Sequence, residues 1–370
     1  MLAARPTRTT SEETAMDSPD PRPSAGVLTP LSARAAVALA APLAVGLAAH
    51  RPEYGAIASL GALFGVLAAT APARRTRLRT VTACLLLGGA GAALGGLVQG
   101  HGWVTFGAVT GLALLSGMLS SLNRVASLAG LMLLLNAVLA AGLPPSGPWW
   151  VPPLLIAGGG LLVLALCAPP GTSRTPLSGP APAARRGPRT GLRAFLASAA
   201  PWNYGLRLAL CVGLAQALVV LMPFERGYWV PVTVVFVLKP DLGPVLSRAL
   251  LRAAGTAVGL LAAVAVFAAV PRGWWEVPVL VLLGALLPAL SARGYGAQTA
   301  AVTPVILLLS DMVNLEGAEL AGQLMADSLI GCAVALVVGH ALWPRTRRAT
   351  VPHSSPGPHA PGLRCPSPVR

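Results

Sequence analysis

An aspartate deep inside an apolar run is the first residue of this sequence that suggests chemistry. Asp327 lies in the run from about residue 319 to 343. An ionised carboxylate in such surroundings is costly unless it is paired, solvated or protonated. Asp327 is therefore a candidate proton-coupling carboxylate, which alternates between a neutral and an ionised form. Two plainer alternatives are a position near lipid headgroups and a static pairing with a neighbouring helix.

Two further pairs have helical spacing. Arg248 and Arg252 are four residues apart, hence on one helix face, and a guanidinium binds a carboxylate through two hydrogen bonds. They are candidate ligands for an anionic substrate, and the alternative is a positive loop that contacts lipid phosphate. Trp229 and Thr233, also four apart, would offer a ring and a hydroxyl to an aromatic acid. The alternative for them is an interfacial Trp and a Thr bonded to its own helix.

The rest of the chain offers too little polar surface for a water-soluble domain. Of its 370 residues, 55% are hydrophobic and only 11% are charged, and the mean hydropathy is +0.70. Soluble domains carry about 25% charged residues. This composition excludes a soluble enzyme, a disordered protein and a disulfide scaffold. The net charge of +15 belongs to loops that flank the membrane, so no nucleic-acid partner is expected.

A membrane-spanning helix needs about 20 residues, and apolar runs near this length follow one another from Ala33 onwards. They predict an all-α polytopic membrane protein with about 12 transmembrane helices as two six-helix repeats. The run at 227–239 is short and contains Pro231, so ten crossings is the alternative. The expected segments are a disordered cytoplasmic tail (1–30), a first six-helix half (31–168), a Pro/Arg-rich cytoplasmic linker (169–200), a second six-helix half (201–343) and another disordered cytoplasmic tail (344–370).

The basic side chains near the spans predict the orientation. With the N-terminus inside and twelve crossings, only Arg51, Arg226 and Arg272 fall outside, as the positive-inside rule requires. Tryptophans such as Trp149 and Trp274 begin spans on the outer side, where an aromatic belt is expected. These patterns predict a multi-pass protein of the cell (inner or plasma) membrane, in contact with membrane lipids, with both termini cytoplasmic.

The two halves share a local pattern. In the first, an apolar run is followed by Arg75 and Arg79, four residues apart, and then by small residues; in the second, a similar run is followed by Arg248 and Arg252 and again by small residues. Because six crossings per half is an even number, the repeats would have parallel topology. Such duplication is common in transporters.

The second half also carries a longer pattern. It reads Tyr228-Trp229-Val-Pro231-Val-Thr233, then Lys239-Pro240-Asp241, then Ser247-Arg248-x-x-x-Arg252-x-x-Gly255-Thr256-x-x-Gly259. This resembles the FUSC family, the fusaric-acid-resistance-like integral membrane transporters that include the aromatic acid exporters. The resemblance covers about 225–345 well and about 50–165 weakly. It implies a duplicated six-helix unit and efflux of aromatic or other organic acids. The linker here is shorter than the cytoplasmic domain that members often carry between the halves.

Motifs for other chemistry are missing from the sequence. The lone lysine, Lys239, has no Walker A loop, the histidines are scattered, and the cysteines form no C-x-x-C pair. We therefore expect no enzyme activity, no cofactor and no metal. The expected function is proton-driven export of a small organic anion, with the substrate at Trp229, Thr233, Arg248 and Arg252 and the proton at Asp327. The alternative is a non-transporting scaffold or envelope-assembly protein. Small-residue pairs leave a homo-oligomer open.

Overall fold

A computed structural model describes most of the apolar part of the chain. The described residues are 25–69, 74–143, 148–167, 197–222, 227–238, 245–314 and 319–341. Most of the two predicted tails and of the predicted linker, together with Lys239, lie outside them. Within the described residues the structure is helical and has no strand.

Twelve α-helices follow one another in the described part of the chain. They are α1 (Ala25–Ala48), α2 (Pro52–Ala68), α3 (Arg74–Leu97), α4 (Trp103–Ser120), α5 (Arg124–Gly142), α6 (Val151–Cys167), α7 (Ala199–Leu221), α8 (Trp229–Val237), α9 (Val245–Ala269), α10 (Glu276–Arg293), α11 (Tyr295–Asn314) and α12 (Glu319–Leu336), which ends in a π-helical turn at Val337–Ala341. Each lies on one of the predicted apolar runs, but several begin earlier than the run does. The helix α9, for example, begins at Val245, eight residues before the apolar run that the sequence predicts at about 253–270.

Local signals place the helix ends. Pro52, whose fixed φ suits the first turn of a helix, opens α2. The Asn123 side chain caps α5 by accepting a hydrogen bond of 2.9 Å from the Ala126 backbone N–H. Gly294 has a φ of 130°, which lets the chain turn directly from α10 into α11.

Nine of these helices are long and apolar enough to cross a membrane, counting the described residues alone. The helices α2 and α6 have 17 residues each, and α8 has nine. Large apolar side chains face outwards, among them Leu86, Leu154 and Leu261, as expected where lipid rather than water covers the surface. The chain is a multi-pass helical membrane protein.

The helices of the second half have the same neighbours as those of the first. In the first half α3 packs on α5 and α6, α2 on α6, α4 on α5 and α1 on α2; in the second, α9 packs on α11 and α12, α8 on α12, α10 on α11 and α7 on α8. Between the halves, α4 packs on α7 and α1 on α10, while α2 contacts α11 and α5 contacts α8. The fifth helix of each half, α5 or α11, is the most buried of the long helices.

One glycine in each half brings the second and sixth helices together. A Cβ at Gly159 of α6 would overlap the backbone of Ala58 on α2, and a Cβ at Gly331 of α12 would lie 2.7 Å from the Thr233 Cβ on α8. Neither position accepts a side chain unless the helices move apart, so glycine sets the distance between them.

Candidate functional site

The buried charges lie in the second half of the chain. Among the described residues, the charged side chains in the buried class are those of Arg248, Arg252, Glu276, Asp311 and Asp327. The arginine pair at the corresponding place in the first half, Arg75 and Arg79, is exposed. The shared pattern of the sequence thus carries two different environments, and only the second half combines charge with burial.

The two predicted arginines contribute to one cluster, which we call the arginine cluster: Arg248, Arg252, Phe236, Tyr295 and Cys332. The Arg252 guanidinium lies over the Phe236 ring of α8, with 4.7 Å between its Cζ and the ring centroid. The Tyr295 hydroxyl, on α11, interacts electrostatically with Arg252 and Arg248. The Cys332 thiol of α12 donates to the Ala249 carbonyl at 3.7 Å. Four helices therefore converge on this one cluster.

Helix geometry explains how the arginines become buried. Arg248, Arg252 and Thr256 follow one another at four-residue intervals on one face of α9, and all three are buried. Gly255 and Gly259 let α9 pack closely on the Thr299 and Thr303 side chains of α11. The prediction of a loop that contacts lipid phosphate is therefore wrong for Arg252, which is only 7% exposed.

Arg252 is the arginine whose surroundings are most informative. Its Nε has no hydrogen-bond partner, and the described part of the chain places no carboxylate within 4.0 Å of its guanidinium. A buried cation usually has a counter-ion. The cluster therefore presents a positive charge, beside the Phe236 ring and the Tyr295 hydroxyl, that an incoming carboxylate would neutralise.

Trp229 and Thr233 lie in the interior on α8. Trp229 is 5% exposed, whereas Trp149 and Trp274 are 50% and 58% exposed, so the interfacial-belt interpretation of Trp229 is wrong. Thr233 is fully buried and its Oγ1 has no hydrogen-bond partner, so the interpretation of a hydroxyl bonded to its own helix is also wrong. Because Gly331 of α12 packs directly on Thr233, a ligand reaches this hydroxyl only if α12 moves.

Asp327 lies on the same helix as Gly331, one turn nearer its N-terminus. It is about 12 Å along α12 from Glu319 and only 5% exposed. Within the described residues, no hydrogen bond or ion pair involves its carboxylate. Its carboxylate thus shows no pairing with a neighbouring helix in the described part of the chain, and the side chain is buried among the helices. Residues 327 and 331 share a helix face, which directs Asp327 towards α8.

A third group of buried charges escaped the sequence analysis. Arg272, in the connection between α9 and α10, donates from Nε to Asp311 Oδ2 at 2.8 Å and from a terminal nitrogen to Oδ1 at 3.2 Å. This hydrogen bonding raises the pKa of Arg272 above its ordinary value. Glu276, the first residue of α10, interacts electrostatically with both. Asp311, like Asp327, is a carboxylate inside an apolar run. The same sequence pattern could therefore have identified it as a candidate.

The other polar features are weaker. A small cavity in the first half is lined by Asn136, Gly88 and Phe64 among other residues, and the Asn136 Oδ1 has no hydrogen-bond partner. No group of three His, Cys, Asp or Glu side chains comes together in the described ranges as a metal site would require. The arginine cluster, Asp327 with α8, and the Arg272–Asp311–Glu276 group are therefore the candidate functional elements.

Comparison with known proteins shows which family this region is similar to. Residues 210–338 match the family described as Fusaric acid resistance protein-like. Inner membrane protein YccS of Escherichia coli (strain K12) is 30% identical over 152 residues, which cover 41% of this chain and 21% of YccS. The uncharacterized membrane protein YvaC of Bacillus subtilis (strain 168) is 28% identical over 151 residues, which cover 39% of this chain and 24% of YvaC.

The matches thus span only about a quarter or less of the length of these relatives. No solved structure matches the chain at a comparable level. The matched stretch contains every candidate residue described above, from Trp229 to Cys332, and it confirms the resemblance found in the sequence. Residues 210–338 are thus similar to the fusaric acid resistance protein-like family.

Proposed function

We propose that this protein is a secondary transporter of the cell membrane that exports small organic anions, aromatic carboxylic acids first among them, with energy from the proton gradient. The proposal includes twelve crossings in two parallel six-helix repeats, cytoplasmic termini and no enzymatic activity. The matching neighbours of equivalent helices in the two halves support the repeat, and repeats of this kind are typical of transporters.

The single observation that carries the proposal is the environment of Arg252. A buried guanidinium without a carboxylate nearby is unfavourable, and it becomes favourable when a carboxylate ligand enters and forms a bidentate pair. The Phe236 ring at 4.7 Å offers an aromatic surface beside it, and the Tyr295 hydroxyl offers a polar group. The family description names fusaric acid, which is itself an aromatic carboxylic acid, and this agrees with the chemistry of the cluster.

Coupling to protons is assigned to Asp327. Without a partner in the apolar interior, the carboxylate of Asp327 is more stable when it is protonated. Its ionised form becomes less costly once water reaches it. Thr233 and Trp229 lie on α8, which α12 covers at Gly331. A movement of α12 away from α8 would expose Asp327 and these two side chains together. Proton release and substrate access would then share one conformational change.

The test is transport in proteoliposomes with an imposed pH gradient, with radiolabelled fusaric acid as the first probe. Wild-type protein should move the anion against its gradient. Asp327→Asn should lose gradient-driven accumulation but keep exchange of labelled for unlabelled anion. Glu53→Gln, which changes a partly exposed carboxylate of the first half, is the matched control and should transport normally. If Asp327→Asn still accumulates the anion, the coupling role is wrong.

A non-transporting scaffold or envelope-assembly protein is the second candidate, because the predicted contact residues on α8 are fully covered in this conformation. Cys332, in the arginine cluster and 6% exposed, separates the two functions. A transporter that opens would let a water-soluble thiol reagent reach Cys332, and a bound aromatic carboxylate would protect it. A scaffold would leave Cys332 unreactive under both conditions, and the proteoliposomes would show no flux.

A further inference from the structure

The Arg272–Asp311–Glu276 group contains two buried carboxylates and one cation. Asp311 is completely buried and Glu276 is 2% exposed, whereas half of the Arg272 side chain is exposed. Arg272 directs two of its N–H donors to the two oxygens of Asp311. The charge of Asp311 is therefore compensated, but that of a second carboxylate beside it is not.

Glu276 is that second carboxylate, and its local contacts are incomplete. The backbone N–H of Gly273 lies against the carboxylate, while Oε2 is buried and has no hydrogen-bond partner. Its position at the N-terminus of α10 and the nearby Arg272 favour a negative charge, whereas burial and the adjacent Asp311 oppose it. An ionised Glu276 with an oxygen that lacks a hydrogen bond is unfavourable beside the ionised Asp311. Protonation of Glu276 removes this second negative charge.

Among the described residues, no charge other than those of Asp311 and Arg272 acts on Glu276. The helix α10 packs on α11 and α1. From α11 the titratable group that faces Glu276 is Asp311, and from the connection before α10 it is Arg272. The helix α1 contacts Gly284 at Ala35 and Ala36. Its charged residue Arg34 is not among the groups that act on Glu276, and α1 has no titratable side chain from Ala35 to Ala48.

We propose that Glu276 and Asp311 form a proton-binding site, in which Glu276 takes the proton and the Arg272–Asp311 ion pair holds the negative potential beside it. The proton enters from the end of the bundle where Arg272 and the exposed Trp274 and Trp275 lie. The site is separate from Asp327, which lies on α12. It does not depend on the transport proposal, because it requires only the buried acid pair.

The test is an infrared titration of the full-length protein in detergent micelles, which follows the carbonyl stretch of protonated carboxylic acids. The wild-type protein should show such a band near neutral pH, and the band should disappear as the pH rises. Glu276→Gln should remove this component of the spectrum. Glu53→Gln should leave it unchanged, because Glu53 is a partly exposed carboxylate beside Arg51.

Two further variants predict shifts of opposite sign. Arg272→Gln, which removes the cation, should move the midpoint of the band to higher pH by about 1 unit or more. Asp311→Asn removes the neighbouring negative charge and frees Arg272 for Glu276, so it should move the midpoint to lower pH. Arg272→Gln alters a half-exposed side chain, so it remains informative if the buried variants do not fold.

Three outcomes would overturn the proposal. One is a wild-type band that Glu276→Gln does not change, and another is a shift of the same sign for Arg272→Gln and Asp311→Asn. The third is a loss of the band on adding MgCl₂ at constant pH, which would identify a divalent-cation site instead. None of these results involves flux, so they leave the transporter proposal to be judged by its own assay.

Discussion

Replacing Arg252 by Met should change the stability of the protein only slightly or raise it, while weakening anion binding. The replacement removes the contact between the guanidinium and the Phe236 ring, which is worth about 2 kcal/mol when desolvated. It also removes the burial of a cation, and replacing buried ionic groups by apolar ones of similar volume often stabilises by about 1–4 kcal/mol. Met keeps an unbranched apolar stem, so the packing around position 252 is largely retained.

The expected net change in the free energy of unfolding therefore lies between a destabilisation of about 1 kcal/mol and a stabilisation of about 2 kcal/mol. Binding should weaken. A hydrogen bond to a charged group contributes about 1.5–3 kcal/mol, so the dissociation constant for an aromatic carboxylate should rise about 10- to 100-fold. Arg252→Lys, which keeps the charge without the planar fork, should bind with intermediate affinity.

The assay combines unfolding in detergent micelles, followed by circular dichroism, with calorimetric titration of fusaric acid. Arg79→Met is the matched control, because Arg79 occupies the corresponding place on α3 but is exposed; it should change stability by less than about 0.5 kcal/mol and leave binding unchanged. A loss of more than about 2 kcal/mol of stability in Arg252→Met, with unchanged binding, would refute the reasoning and make Arg252 a structural residue.

Two further pairs of variants test the packing. Gly331→Ala forces a Cβ against Thr233 and should destabilise the protein by about 1–3 kcal/mol. Its control, Gly322→Ala on the same helix, meets open space and should be neutral or stabilising by up to about 1 kcal/mol. Equal unfolding temperatures of the two variants in detergent would contradict this prediction. Asn136→Leu removes an unpartnered buried carbonyl oxygen and should stabilise by about 1 kcal/mol, whereas Asn123→Leu removes the α5 cap and should destabilise by about 1 kcal/mol, again measured by unfolding in detergent.

The helices could be predicted from the sequence because lipid imposes long apolar runs, which composition alone reveals. The first residues of the helices could not be predicted in this way, because a polar first turn lowers the mean hydropathy and is therefore left out of the apolar run. The segment before the predicted span of α9 illustrates this. Arg248 and Arg252 lower its hydropathy, so the predicted apolar run begins after them, yet the chain is helical from Val245 onwards. The two arginines are buried because they share one face of α9. The composition of a segment does not show which of its residues share a face.

The candidate site was predictable in part for a related reason. Asp327 stands out because it is a lone carboxylate among apolar neighbours, and its burial agrees with that signal. Glu276 follows two tryptophans, a pattern that indicates an aromatic belt at the membrane interface. This pattern does not mark Glu276 as a buried carboxylate. Its proximity to Asp311 and Arg272 joins residues far apart in the chain. Only the packing of α10 on α11 brings them together, and no local pattern contains that information.

The difference between the halves indicates how the site would respond to movement. Both halves use the same arrangement of helices, but the buried charges lie in the second. The helices that flank Arg252, α8 with Phe236 and α11 with Tyr295, are also the ones that contact α5 and α2 of the first half. Any displacement of one half against the other therefore acts on the arginine cluster from two sides. The first half, with its exposed Arg75 and Arg79, would then serve as the support against which the second half changes its access to the anion.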